Sequence, residues 1–170
     1  VKEHKQAEKA YLHALSFAPD NGDIHNNFGV FLCGIARFDE AESEFLTAIA
    51  SPSYNKIANS YENAGQCALE NDEKSQALTY LQSSLAYAPQ NLDVRLSVTE
   101  LHYMLADYAV AKQQLTKYES VAKVTARSLW LGFNIADKQN NLAAAEVYSR
   151  QLLAQFPLAI QTQKYITNDY

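Results

Sequence analysis

The side chains able to do chemistry in this chain are few, and most of them point to hydrogen bonding rather than to bond making. Amides gather in two stretches: Asn26 and Asn27 in "HNNFG", then Asn59, Asn63 and Gln66 around Glu62 in "NSYENAGQ". An amide offers both a donor and an acceptor, which is the pairing that an extended peptide backbone presents. His4, His13, His25 and His102 lack the spacing of a zinc or iron site. No Gly-rich phosphate loop, pocket pattern of paired carboxylates or Ser/His/Asp grouping stands out. The reading is therefore non-enzymatic, with no cofactor and no metal.

Composition narrows the partner class. The chain has 170 residues, 48% of them hydrophobic, enough for one domain with a sizeable core. Its 14 basic residues are scattered and outnumbered by 19 acidic ones, giving a net charge of −5. No basic stripe exists to track nucleic-acid phosphates. The longest apolar run, Phe28 to Ala36, is far too short to span a bilayer.

The elements that must position these groups come from a repeat. Ala7, Ala41, Ala77, Ala111 and Ala145 mark it, at steps of 34, 36, 34 and 34 residues. Three of the four prolines, Pro19, Pro89 and Pro157, lie twelve residues after a marker, and Pro52 lies eleven after Ala41. Residues four and seven after each marker draw one stripe down a helix, for example Phe45 and Ala48, or Leu81 and Ser84. Twelve before the marker stand Gly29, Gly65, Thr99 and Phe133, with Gly132 one place early. Glycine inside a helix costs roughly 1 kcal/mol relative to alanine. The small residues at 29/41 and 65/77 are expected where two antiparallel helices approach most closely.

This period and the helix–turn–helix pattern resemble the tetratricopeptide repeat. The resemblance implies an all-α fold, a right-handed superhelix of antiparallel helix pairs, in a single domain over 1–170. A half repeat covers 6–18, full repeats 22–53, 58–90, 92–123 and 126–157, and a capping helix 158–168. The two extra residues between Ala41 and Ala77 fall in the loop "SPSYNKI", Ser51 to Ile57. The first helix of the opening unit is expected upstream of Val1.

Three strings narrow the family. "NNFGVFL" (Asn26–Leu32), "YENAG" (Tyr61–Gly65) followed by "ALTYLQSSL", and "ARSLWLG" (Ala126–Gly132) resemble those of the type IV pilus biogenesis lipoproteins PilF and PilW. That resemblance implies a lipid-anchored, non-catalytic scaffold on the periplasmic face of the outer membrane. Such a pilotin helps the pilus secretin localise and multimerise, or stabilises the pilus. The implied partners are the secretin or other pilus-assembly proteins, with the membrane reached only through an N-terminal lipid anchor outside this chain. The alternative is a generic repeat adaptor or co-chaperone module that binds an extended peptide in another compartment.

Stacked repeats line their concave face with the first helix of each unit. Counted from Gly22, Ala58, Leu92 and Ala126, the candidate groove residues are Asn26, Asn27, Asn59, Glu62, Asn63, Gln66, Glu100, Tyr103, Arg127 and Asn134. Arg127 is the one basic residue among them, so a Lys/Arg clamp for a terminal carboxylate is not expected, and the groove suits a neutral or mildly basic segment. Trp130 reads as core, and "FDEAESEF" (Phe38–Phe45) as a solvated acidic helix start. Cys33 and Cys67 sit on adjacent first helices at repeat positions that differ by two. With packed axes ~8–10 Å apart and a disulfide needing Cα atoms within ~7 Å, two free buried thiols are expected.

Overall fold

The computed structural model describes residues 2–168. Among them run ten α-helices and no strand: α1 (Lys2–Phe17), α2 (Gly22–Gly34), α3 (Phe38–Ala50), α4 (Ile57–Glu70), α5 (Lys74–Tyr87), α6 (Leu92–Met104), α7 (Tyr108–Glu119), α8 (Ala126–Lys138), α9 (Leu142–Gln155) and α10 (Ile160–Thr167). Their contacts divide the chain into two compact units, Val1–Val94 and Arg95–Tyr170, with the division inside α6.

In the first unit α2 packs on α3 and α4 on α5 as helical hairpins, α3 also packs on α4, and α1 lies against α2. Each hairpin turns in the same way. Ala36 and Asp72, each five residues before its marker alanine, take a left-handed backbone with φ of 59° and 58°. The N–H of the next residue reaches back six-to-one, Arg37 to the Leu32 carbonyl at 2.9 Å and Glu73 to that of Ala68 at 2.8 Å. This is the Schellman closure, which satisfies carbonyls that the helix end leaves open. The second unit repeats it: Ala106 (φ 62°) and Asn140 (φ 54°) turn the chain, and Asp107 and Asn141 donate back to His102 and Ala136. Glycine is the usual residue here, and its absence hid these turns from the sequence.

The small residues sit where the hairpin halves meet. A Cβ built on Gly29 would lie 2.7 Å from the Phe45 ring and 3.1 Å from the Ala41 carbonyl oxygen. On Gly65 it would meet Leu81 at 2.7 Å and the Ala77 oxygen at 3.3 Å. Ala41, Ala77, Ala111 and Phe45 are 0–1% exposed. Gly132, one place early by the marker count, keeps the same rule. Its neighbour is the Tyr148 ring, and 132 to 148 is the same sixteen-residue span as 29 to 45 and 65 to 81. Glycine and bulky partner have moved back together, which leaves position 149 to the small, buried Ser149.

In the second unit α8 packs on α9, α7 on α8, and α10 on both α8 and α9. Trp130 stacks on Phe133 at 5.7 Å, and Tyr165 of α10 meets Phe133 edge-on at 5.1 Å. Thr162 of α10 is buried and donates to the Phe156 carbonyl at 2.6 Å.

The acidic stretch of α3 is solvated at Asp39 and Glu40, as expected, but not at Glu42 and Glu44. Glu42 accepts from the Tyr80 hydroxyl and the Gln76 amide of α5, and Glu44 holds buried His25 at 2.6 Å. The other ring nitrogen of His25 lies 2.7 Å from the Pro19 carbonyl, so this histidine knits the first hairpin together. In the second unit Tyr148, three residues after its marker as Tyr80 is after its own, donates to Glu119 at 2.9 Å and accepts from Lys112 at 3.0 Å. The pairs made by Tyr80 and Tyr148 thus join the second helices of successive hairpins, α3 to α5 and α7 to α9.

Candidate functional site: the face shared by α2 and α4

Cys33 and Cys67 form a disulfide, with Cα atoms 5.8 Å apart, which overturns the expectation of two free thiols. The physical reason lies in the geometry of a helix. Its Cα atoms ride on a cylinder of ~2.3 Å radius, so residues that face each other stand ~4–5 Å closer than the axes do. Axes at ordinary packing distance therefore bring facing cysteines within bridging range. The bridge joins α2 to α4 near their C-terminal ends and lies within the buried cluster of Phe28, Leu32, Ala41, Phe45 and Ala64.

Toward the N-terminal half of the same two helices, amides are tied together rather than left loose. Asn26 Oδ1 accepts from Ser60 Oγ at 2.8 Å and from Asn63 Nδ2 at 2.9 Å. Ser60 is fully buried and spends its one hydroxyl hydrogen on Asn26, so the Tyr54 hydroxyl, 2.8 Å away, is the donor to Ser60. Tyr54 belongs to the lengthened loop. Its ring lies over Gly22, where a Cβ would stand 2.5 Å from it. The two extra loop residues thus deliver a buried phenol that orders this network. Ser60 and Tyr54 were not singled out by pattern, although the irregular loop length was the signal that could have found Tyr54. Polarity of the network turns the amide nitrogen of Asn26 outward, toward Asn27 Oδ1 at 3.4 Å.

The remaining candidates of the first unit are spread more widely: Gln66 lines the α2–α4 cavity, Asn27 borders α1 beside Tyr11, and Glu62 faces the start of α6. Asn27, Asn59 and Gln66 are exposed. Glu62 accepts from Asn91 Nδ2 at 3.2 Å, while Asn91 also caps α6 through the Val94 N–H. Lys56 pairs with Asp23 at 2.8 Å, and that carboxylate holds the ammonium above its ordinary value. Between the disulfide and the amides opens a cavity of about 220 Å³, lined by Val30, Cys33, Gly34, Phe45, Asn63, Gln66, Cys67 and Glu70.

In the second unit the candidates are committed differently. Arg127 of α8 grips Glu100 of α6 through Nε at 2.7 Å and through Nη2, which also donates to Ser97 at 2.9 Å. Asn134 is buried and donates to the Trp130 carbonyl one turn back at 2.7 Å. Tyr103 packs on Tyr108 with ring centroids 5.6 Å apart. Burial, with smaller contributions from Tyr108 and Asp137, holds its phenol above the ordinary value. Among the described residues no group of three or more His, Cys, Asp or Glu side chains is placed to hold a metal, and no helix is long and apolar enough to cross a membrane.

Comparison with known proteins bears on this arrangement. No family model matches the chain. It is 29% identical over 163 residues to the type IV pilus assembly protein PilF of Pseudomonas aeruginosa, covering 96% of this chain and 65% of that protein. The chain thus spans a little under two thirds of that relative's length. The solved structure of PilW, described as a widely conserved type IV pilus biogenesis factor, superposes with a TM-score of 0.83 at 32% identity, over 97% of this chain and 76% of PilW's. YrrB, a tetratricopeptide-repeat protein, superposes with a TM-score of 0.80 at 15% identity over 98% of this chain and 85% of its own, which shows the fold alone. With the repeat architecture of the one and the sequence identity of the other, the chain belongs to the PilF/PilW family of tetratricopeptide-repeat proteins.

Proposed function

We propose that this protein is a non-catalytic protein-interaction scaffold of type IV pilus biogenesis, acting in the cell envelope. It serves the pilus secretin, helping it reach the outer membrane and multimerise, or stabilises the assembled pilus. The observation that carries this reading is the likeness to PilW, which holds over nearly the whole chain at 32% identity. A lipid anchor upstream of the repeats would keep the scaffold at the periplasmic face of the outer membrane.

The face shared by α2 and α4 is where we place the first-unit contact. Asn27 and Gln66 are exposed amides on adjacent first helices, and the network behind them fixes Asn26 and Asn63. Fixed amides pair with a peptide backbone at low entropic cost. The test is capture of the secretin from detergent-solubilised outer membranes by the full-length protein, followed by titration with the purified secretin. Asn27→Ala with Gln66→Ala removes two exposed hydrogen-bonding groups at ~0.5–1.5 kcal/mol each, so affinity should fall about tenfold. An unchanged affinity would remove this face from the contact, and failure of the wild type to bind secretin would remove the secretin assignment.

A further inference from the structure

We infer that the cavity between α2 and α4 is a docking pocket for one apolar side chain of an extended segment that carries a lysine or arginine close to it. This deepens the reading of the α2–α4 face as a protein-binding surface and rests on it. Size sets the first limit. At about 220 Å³ the space is below the ~300–1,000 Å³ of a small-molecule site and suits a single side chain.

Lining sets the second. The apolar part of the wall is made by Val30, Phe45 and the Cys33–Cys67 bridge, none of which offers a strong hydrogen bond. Val30 is 48% exposed although it lies mid-helix among buried neighbours, so its methyl groups stand at the mouth. An incoming Leu, Ile or Phe would cover them.

Charge sets the third. The only charged side chain on the wall is Glu70, whose Oε2 lies 3.5 Å from Cys33 Sγ. A disulfide sulfur carries no hydrogen, so this contact gives the exposed carboxylate no hydrogen bond and leaves it open to an incoming cation. The acidic Asp23 already has Lys56, whereas Glu70 pairs with no cation among the described residues. A basic residue within one or two positions of the apolar anchor is complementary to that charge, and the amides of Asn63 and Gln66 on the rim receive the backbone between them. The disulfide holds the two walls at fixed separation, so the pocket stands preformed.

The test pans a phage-displayed library of random nonapeptides against the full-length oxidised protein, with Val30→Trp and Glu70→Lys in parallel. The wild type should enrich peptides with Leu, Ile or Phe and a Lys or Arg within two residues. Val30→Trp, which fills the mouth, should lower binding of those peptides at least tenfold. Glu70→Lys should lose the basic position and favour an acidic one, with an unchanged melting temperature because the side chain is exposed. Enriched peptides that bind the Val30→Trp variant as well as the wild type would place docking elsewhere. A consensus without a basic residue, or no enrichment, would overturn the proposal. Secretin capture is measured separately, so a failure of the pocket and a failure of the pilus reading are told apart.

Discussion

Gly29 and Gly34 lie on the same helix, and replacing each by alanine should move stability in opposite directions. Alanine gains roughly 1 kcal/mol over glycine in a helix interior and somewhat less at a helix end. At Gly34 a new Cβ meets nothing within 4 Å, and none of the glycines has a positive φ, so the gain is realised without strain. At Gly29 the same atom lands 2.7 and 2.8 Å from the Phe45 ring and 3.1 Å from a backbone oxygen of α3. Ordinary carbon contacts are ~3.5–4.0 Å, so ring or helix must retreat by nearly 1 Å. Phe45 is 1% exposed and packed in the core, and overpacking of this kind costs about 1–3 kcal/mol.

Gly29→Ala should therefore lose about 1 kcal/mol net, Gly34→Ala should gain several tenths, and the two should differ by about 1.5–2 kcal/mol. In a chain of this length that is a separation of about 3–8 °C in melting temperature, readable by far-ultraviolet circular dichroism. Adding Phe45→Leu should relieve part of the Gly29→Ala penalty, and a double-mutant cycle isolates that coupling. If Gly29→Ala melts at or above Gly34→Ala, the glycine does not mark a close helix approach, and the explanation of the repeat's small residues fails.

Reduction of the Cys33–Cys67 bridge opens a link with a sequence separation of 34, worth about 3–4 kcal/mol in the chain-entropy model. Adding reductant should lower the denaturant midpoint, and intact mass should rise by two hydrogens. The turn alanines Ala36 and Ala106, held at φ of 59° and 62°, should each stabilise the chain by about 0.5–1 kcal/mol when changed to glycine, measured by urea titration. Tyr148 gives a pH prediction: burial, then the hydrogen bond to Glu119, pushes its phenol well above the ordinary tyrosine value. The folded chain thus holds that proton more tightly than the unfolded one, so the contribution is full below about pH 10 and is lost as pH rises toward the folded value. Ultraviolet titration should find a late-ionising tyrosine, and Tyr148→Phe should flatten the loss of stability above about pH 10.

Much of the fold was legible because close helix packing recurs at a fixed distance from the marker alanines. The repeat was visible wherever its chemistry used the usual residue, as at Gly29 and Gly65. It was obscured where a different residue met the same physical demand. Ala36, Asp72, Ala106 and Asn140 all adopt a conformation for which glycine is the expected signal, so the four turns are alike in structure and unlike in sequence. At Gly132 the marker count went astray because the conserved quantity is the sixteen-residue span from glycine to bulky partner, not the distance to Ala145. The α2–α4 face shows why a site is harder to read than a fold. Asn26, Asn63 and Cys33 were located by repeat position, but their roles depend on contacts between α2 and α4 that no period encodes. Tyr54 comes from the one loop that breaks the period, Ser60 from a helix position where the pattern places no polar group, and the Cys33–Cys67 bridge from two residues whose repeat positions differ by two. Periodicity describes what each repeat shares with the others. The polarity of the amides and the charge at the pocket are set by departures from the period, at Tyr54, Ser60 and Glu70.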